Sequence, residues 1–172
     1  MESPIEEIFH HEYCKFCKEE YELTAQKEFE TRVGNLRPDF VTSFDGYLIA
    51  FECDGRDFHD EARDEIRDSI LLGDEHVGTI YRFTGRLIAN APEMAIAIIA
   101  EYDPELFSER SIQVLKQKSS LSDFQISGLD HKRRSARRSY VKREFWRVLH
   151  RNALEQAITR IDDYETGEIP RL

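Results

Sequence analysis

The chain has 172 residues, 40% of them hydrophobic, and a formal net charge of −10. This fits a compact intracellular enzyme or binding protein of one domain with a short appendage. No apolar run approaches the ~18 residues of a membrane span and no charged-then-apolar leader is present, so neither membrane anchoring nor secretion is expected and the cytoplasm is the expected compartment. Cys14, Cys17 and Cys53 are an odd number of cysteines and read as reduced thiols.

The chain opens on a helix. Ser3 at the cap, Pro4 in the first helical position and Glu6 three after the cap form a capping box, and Ile5, Ile8, Phe9, Tyr13 and Phe16 follow at amphipathic spacing. Cys14 and Cys17, with His10 and His11 just before them, invite a zinc reading. A matching second Cys/His pair at a familiar spacing is missing, and on a helix these residues are ordinary neighbours. Residues 20–30 then alternate, with Tyr21, Leu23, Ala25, Lys27 and Phe29 on one side, which predicts a strand with one wet face. Gly34-Asn35 turns the chain into the next strand.

The most informative stretch is Arg37-Pro38-Asp39-Phe40 and Phe51-Glu52-Cys53-Asp54-Gly55, joined through an Asp45-Gly46 turn. A two-residue Asp-Gly loop between apolar runs predicts a hairpin in which Phe44 faces Tyr47, Thr42 faces Ile49 and Asp39 faces Glu52. Opposed Cβ atoms lie about 5 Å apart, where two ionised carboxylates repel by ~3 kcal/mol at an effective dielectric of ~20. A shared proton, a basic partner or a cation must offset that repulsion. A hard divalent cation held by Asp39 and Glu52 is the most economical answer, with Asp54 either joining them or paired with Arg37. A solvated surface hairpin is the plain alternative. Glu52 and Asp54 share a face with Leu48 and Ala50, whereas Ile49, Phe51 and Cys53 point the other way.

Residues 60–72 repeat Ala62, Ile66, Ser69 and Ile70 at helical spacing and set Arg63 and Arg67 one turn apart. These arginines pair with Asp60, Asp64 or Asp68; alternatively Arg67, or His59 at the helix entrance, points toward a phosphate. Residues 77–83 read as a buried strand, Pro92 opens a helix through Met94, Ile96, Ile98 and Ile99, and Asp103-Pro104 closes it. A helix between the third and fourth strands permits their parallel pairing, so the order predicts an α/β sandwich with a mixed sheet.

Beyond residue 104 the character changes to a helix-like piece over 106–115, a polar connector, and then the chain's basic block. Residues 132–151 hold nine Lys/Arg against the single acid Glu144, and the rest of the chain carries 15 basic and 33 acidic residues, a net charge of −18. An acidic body repels nucleic acid at long range, which makes this block the candidate phosphate-contacting element. It is predicted as a long helix with Tyr140, Phe145, Trp146 and Leu149 on its apolar side. Docking of that helix onto the acidic body or onto a partner protein is the competing account.

Pro38-Asp39, the hairpin and Glu52-x-Asp54 resemble the PD-(D/E)XK nuclease superfamily. Asp39-Phe40, Gly55, His59, Asp64 and Arg67, with Leu71 beyond, are similar to the branch containing very-short-patch-repair endonucleases. Ser3-Pro4-Ile5-Glu6, Gln26 and Tyr81-Arg82-Phe83 also resemble its opening helix, first strand and late core strand, so the resemblance covers about residues 3–100. It implies a restriction-endonuclease-like mixed sheet flanked by helices over 1–103, beyond which the residues themselves predict a helical extension over 104–172 with the basic segment 132–151. It also implies magnesium, or manganese, held by Asp39, Glu52 and the Cys53 backbone carbonyl. Asp54 and Gln26 would support the water or metal, His59 would transfer a proton or contact phosphate, and Glu6, with Glu7 as its rival, would lie near the metal from the opening helix. Arg67, Arg133, Arg137, Arg138, Lys142 and Arg147 would contact nucleic acid. The superfamily's lysine falls at Asp54, and His59 and Lys27 are candidate substitutes. The expected activity is endonucleolytic hydrolysis of DNA, more than of RNA. A catalytically silent nuclease fold that binds nucleic acid or a partner protein is the alternative, with self-association or partner binding through the C-terminal helices.

Overall fold

A computed structural model of the chain describes residues 3–55, 61–74, 76–118, 140–142 and 146–150. Helix α1 (Pro4–Phe16) begins where its cap predicts, with the Glu6 N–H donating to Ser3 Oγ at 3.2 Å and the Ser3 hydroxyl donating to Glu6 Oε1 at 3.0 Å. The strand predicted over 20–30 is instead broken into a one-turn 3₁₀ helix (Glu19–Tyr21), a two-residue strand β1 (Thr24–Ala25) and β2 (Phe29–Thr31), which pairs with β3 (Gly34–Leu36) in a separate hairpin. Gln26 is the reason: its φ of 56° is left-handed and bends the chain out of the extended course that alternation suggested.

Strands β4 (Phe40–Phe44) and β5 (Tyr47–Asp54) form the predicted hairpin in the predicted register, Phe44 opposite Tyr47, Thr42 opposite Ile49 and Phe40 opposite Phe51. Asp45 and Gly46 both have positive φ, 46° and 81°, the geometry a two-residue hairpin loop needs. Helix α2 (Glu61–Gly73) crosses over to β6 (Thr79–Thr84), which runs parallel to β5. Helices α3 (Gly85–Asn90), α4 (Pro92–Tyr102) and α5 (Glu109–Lys118) follow.

The sequence predicts helix through residues 140–150, and there the structure differs. Tyr140–Lys142 is strand β7 and Trp146–His150 is strand β8, and β8 pairs antiparallel with β6. The aromatic and β-branched content of Tyr140-Val141 and Trp146-Arg147-Val148 suits a strand, and the free edge of β6 offers a row of backbone groups for it to bond. Arg133, Arg137 and Arg138, and the rest of the predicted extension around these two strands, lie outside the described residues.

The main sheet thus has six strands in the order β1-β4-β5-β6-β8-β7. It is mixed and carries helices on both faces, and each face has its own core. On one, Phe9 of α1 touches the rings of Phe40, Phe51 and Phe83 at 5.8, 5.6 and 5.9 Å, with α4 burying Ile96, Ile98 and Ile99 beside them. Leu106, Phe107 and Leu115, beyond residue 103, join this same core. On the other face, Val41, Ala50 and Ile80 pack under Ile66, Ile70 and Leu71 of α2, with Phe29 and Leu36 of the small hairpin. Because β5 sits centrally between the two cores, its side chains divide by parity: Ile49, Phe51 and Cys53 enter the first core, and Ala50 the second. Among the described residues no helix is long and apolar enough to cross a membrane.

Candidate functional site

The hydrophobic run of β5 ends in acids, and the fold sets them at the carboxyl ends of two parallel strands, where open α/β sheets place their ligands. The β4/β5 ladder extends to Phe40 and Phe51, so Asp39 and Glu52 are the next positions outward. Asp39 Oδ2 accepts the Cys53 N–H at 2.7 Å, which ties its carboxylate to the end of β5. The Gln26 N–H donates to the Asp39 carbonyl at 3.0 Å, so the left-handed bend at Gln26 is what joins the β1 edge to this aspartate.

Burial sets the proton affinity of both acids. Asp39 is raised above the usual carboxylate range, chiefly by desolvation, while the Cys53 N–H and Arg82 oppose the shift and Glu6 and Asp54 add to it. Glu52 is pushed up to about 8 by desolvation, which outweighs the attraction of Arg82. Cys53 is raised well above the ordinary thiol value by the same burial, which makes it an inert thiol; its backbone carbonyl belongs to the same strand end.

Arg82 is the charged residue of this group that reading the sequence placed in a buried strand without a site role. It is 4% exposed, in register with Glu52 on the neighbouring strand, and surrounded by acids from two other elements. Its guanidinium donates to both oxygens of Asp68, Nε to Oδ2 at 2.8 Å and Nη2 to Oδ1 at 2.7 Å, and Nη1 donates to Asp54 Oδ1 at 2.8 Å. Asp64 and Glu52 stand further off, at 3.8 and 3.7 Å. Asp54 is thereby ion-paired with Arg82. A lone arginine between Tyr81 and Phe83, in an otherwise apolar strand, is the signal that could have found it, since such a charge needs counter-ions and Asp64 and Asp68 recur one helical turn apart.

The other candidates divide. Glu6 is buried on α1 and acts electrostatically on Asp39, so the structure brings it to the group. Arg67 acts on Glu52 from α2, and its Nε is buried without a hydrogen-bond partner among the described residues. Lys27 is placed elsewhere, its ammonium 5.5 Å from the Phe29 ring centre, in an open cleft of about 290 Å³ that it shares with Glu19, Glu20 and Glu22. His59 lies outside the described residues. Arg147 is the register partner of Arg82, and Lys142 that of Arg147, so one rung of the sheet reads Glu52, Arg82, Arg147, Lys142.

No group of three or more His, Cys, Asp or Glu among the described residues is arranged to hold a metal ion. Cys14 has its Sγ 3.8 Å from His10 Nε2, and Cys17 instead donates to the Leu106 carbonyl at 3.2 Å, so the two cysteines have separate partners. Magnesium, which keeps several waters and takes one or two carboxylates, suits Asp39 and Glu52 better than an all-protein cage would. Their raised proton affinity comes chiefly from desolvation, with the neighbouring acids adding to it, and a bound cation would offset both effects. Comparison of the chain with protein-family models, curated proteins and solved structures returned no match.

Proposed function

We propose that the protein is a metal-dependent nuclease that hydrolyses phosphodiester bonds, with DNA as the favoured substrate. The observation that carries this reading is the convergence of half-buried Asp39 and buried Glu52, two carboxylates with raised proton affinity, at the carboxyl end of parallel strands β5 and β6. The resemblance to PD-(D/E)XK nucleases, on the same two residues, supports it.

Asp39 and Glu52, with the Cys53 carbonyl, would hold magnesium or manganese. When bound, the metal supplies charge neutralisation at the scissile phosphate and a more acidic water for in-line attack. Asp39 is oriented for this by the Cys53 N–H. The orphaned Nε of Arg67 would donate to a phosphate oxygen, giving a buried donor the partner it lacks. His59 would move the proton to or from the attacking or leaving oxygen, and Glu6 and Gln26 would support the water from α1 and the β1 edge. Lys142 and Arg147, one rung along from the acids, would contact the nucleic-acid backbone, with Arg133, Arg137 and Arg138 extending that contact.

One observation favours a second reading, a silent nuclease-fold module that binds nucleic acid or a partner protein. The strand position at which nucleases of this kind carry lysine is Asp54 here, and it is tied to a buried arginine. Purified protein incubated with plasmid, linear duplex, single-stranded DNA and RNA, in magnesium, manganese or EDTA, separates the readings. Metal-dependent cutting that disappears in Asp39→Ala supports the nuclease. Binding without cutting in every metal moves the assignment to the silent module.

A further inference from the structure

Four carboxylates from two elements, β5 and α2, lie within 4 Å of one arginine on β6, and the arginine does not treat them alike. Asp68 receives two hydrogen bonds and Asp54 one, each at 2.7 to 2.8 Å, and Asp64 lies 3.8 Å away on the same helix as Asp68. Glu52 is in register with Arg82, yet at 3.7 Å it receives no hydrogen bond from it. Asp39 takes its bond from the Cys53 backbone and none from the guanidinium. A guanidinium that is 4% exposed and fixed in a fork by Asp68 cannot swing away to release Asp54 without leaving a buried charge unpaired.

We propose that Arg82 is a resident cation that partitions the acid cluster, engaging Asp68 and Asp54 by hydrogen bonds so that Asp39 and Glu52 remain as two carboxylates that bind a single divalent ion. This rests on the metal-centre reading above and sharpens it. Asp54 becomes a positioning residue for the guanidinium and leaves the set of metal-supporting groups. The positive charge that the strand itself lacks at position 54 comes from the adjacent strand. Arg82 is too deeply enclosed to meet substrate, and its role is to set which acids are available and how much negative charge the incoming ion meets.

The test is titration of the full chain with Mn²⁺ alone, followed by electron paramagnetic resonance to count free and bound ion, with urea unfolding alongside to show that each variant is folded. The wild type should bind a single Mn²⁺, and Asp39→Asn and Glu52→Gln should each lose it. Asp54→Asn should keep the wild-type affinity within about twofold, because its carboxylate is already committed. Arg82→Lys, which keeps the charge, should also stay close to wild type. Folded Arg82→Gln should bind Mn²⁺ about tenfold more tightly, since one opposing charge is gone and Asp54 is released. Asp54→Asn leaves the Arg82–Asp68 pair intact, so the decision does not depend on whether Arg82→Gln folds. If Asp54→Asn weakens Mn²⁺ binding as much as Asp39→Asn does, the partition is wrong while the metal centre stands. Failure of the wild type to bind Mn²⁺ at all overturns both.

Discussion

Glu52 and Arg82 are register partners on adjacent parallel strands, 8% and 4% exposed, and yet the closest approach of Arg82 Nη2 to Glu52 Oε1 is 3.7 Å. The guanidinium's hydrogen bonds go to Asp68 and Asp54. Glu52 thus feels the arginine's field without its donors, which is why burial wins and its carboxyl holds a proton to about pH 8.

That shift fixes the sign of a pH effect. The folded chain keeps a proton on Glu52 that the unfolded chain releases from its ordinary value of 4.5, so the metal-free protein should lose stability as pH rises from about 4.5 to about 8. Asp39, also raised, adds a drop in the same direction. Urea unfolding in EDTA across that range should show the decline for wild type and a flatter profile for Glu52→Gln. Magnesium added at the alkaline end should restore stability to the wild type. Superimposable profiles for the two proteins would remove burial of an ionisable Glu52 as the cause.

Asp68→Ala should be the most damaging substitution at the acid cluster. Asp68 is 1% exposed and takes two of the arginine's hydrogen bonds, so its removal strands a buried cation and should cost ~3–5 kcal/mol in urea unfolding. A loss under about 1 kcal/mol would mean that Arg82 finds other partners easily.

Gly78 lies where a Cβ would clash with the Tyr47 ring, and its N–H donates to the Leu48 carbonyl at 2.7 Å. Gly78→Ala should therefore destabilise by ~1–3 kcal/mol through overpacking. In a double-mutant cycle with Tyr47→Ala the two losses should be strongly non-additive, because the clash needs both partners. Simple additivity would place the cost in the backbone instead.

The rung that runs from Glu52 through Arg82 to Arg147 and Lys142 predicts a binding phenotype. Lys142→Glu combined with Arg147→Glu should weaken duplex DNA binding in EDTA and lower the salt slope by about two, roughly one for each phosphate no longer neutralised. Fluorescence anisotropy over a salt series reads both quantities. An unchanged slope would assign the nucleic-acid interface to other basic residues.

Much of the frame was legible because it depends on local chemistry. Asp45-Gly46 dictated a two-residue loop, the loop dictated the Phe40 to Phe51 register, and parity along β5 sorted its side chains between two cores. The crossover helix announced the parallel pairing of β5 with β6. Long-range facts were not legible. Nothing local in Gln26 distinguishes it from its neighbours, and its left-handed φ goes with a backbone hydrogen bond to Asp39, thirteen residues further on. Tyr140, Trp146 and Leu149 match a helical stripe as well as they match strands, and the free edge of β6 is what selects the strands. Arg82 read as part of a buried strand because the acids that hold it, Asp54, Asp64 and Asp68, lie 28, 18 and 14 residues earlier in the chain.

The parity of β5 also limits how this protein can change by insertion. A residue added between Tyr47 and Glu52, with pairing downstream of it held, would turn every side chain before it to the opposite face. If the hairpin held instead, Glu52 and Asp54 would swing in among Phe9, Tyr81 and Phe83 while Cys53 took the place beside Arg82. Either outcome puts charge into an aromatic core or aromatic rings against a helix of aspartates. Length variation in this strand should therefore be accepted only in steps of two, whereas the residues before Thr24, which lie outside the hairpin ladder, carry no such even-number rule.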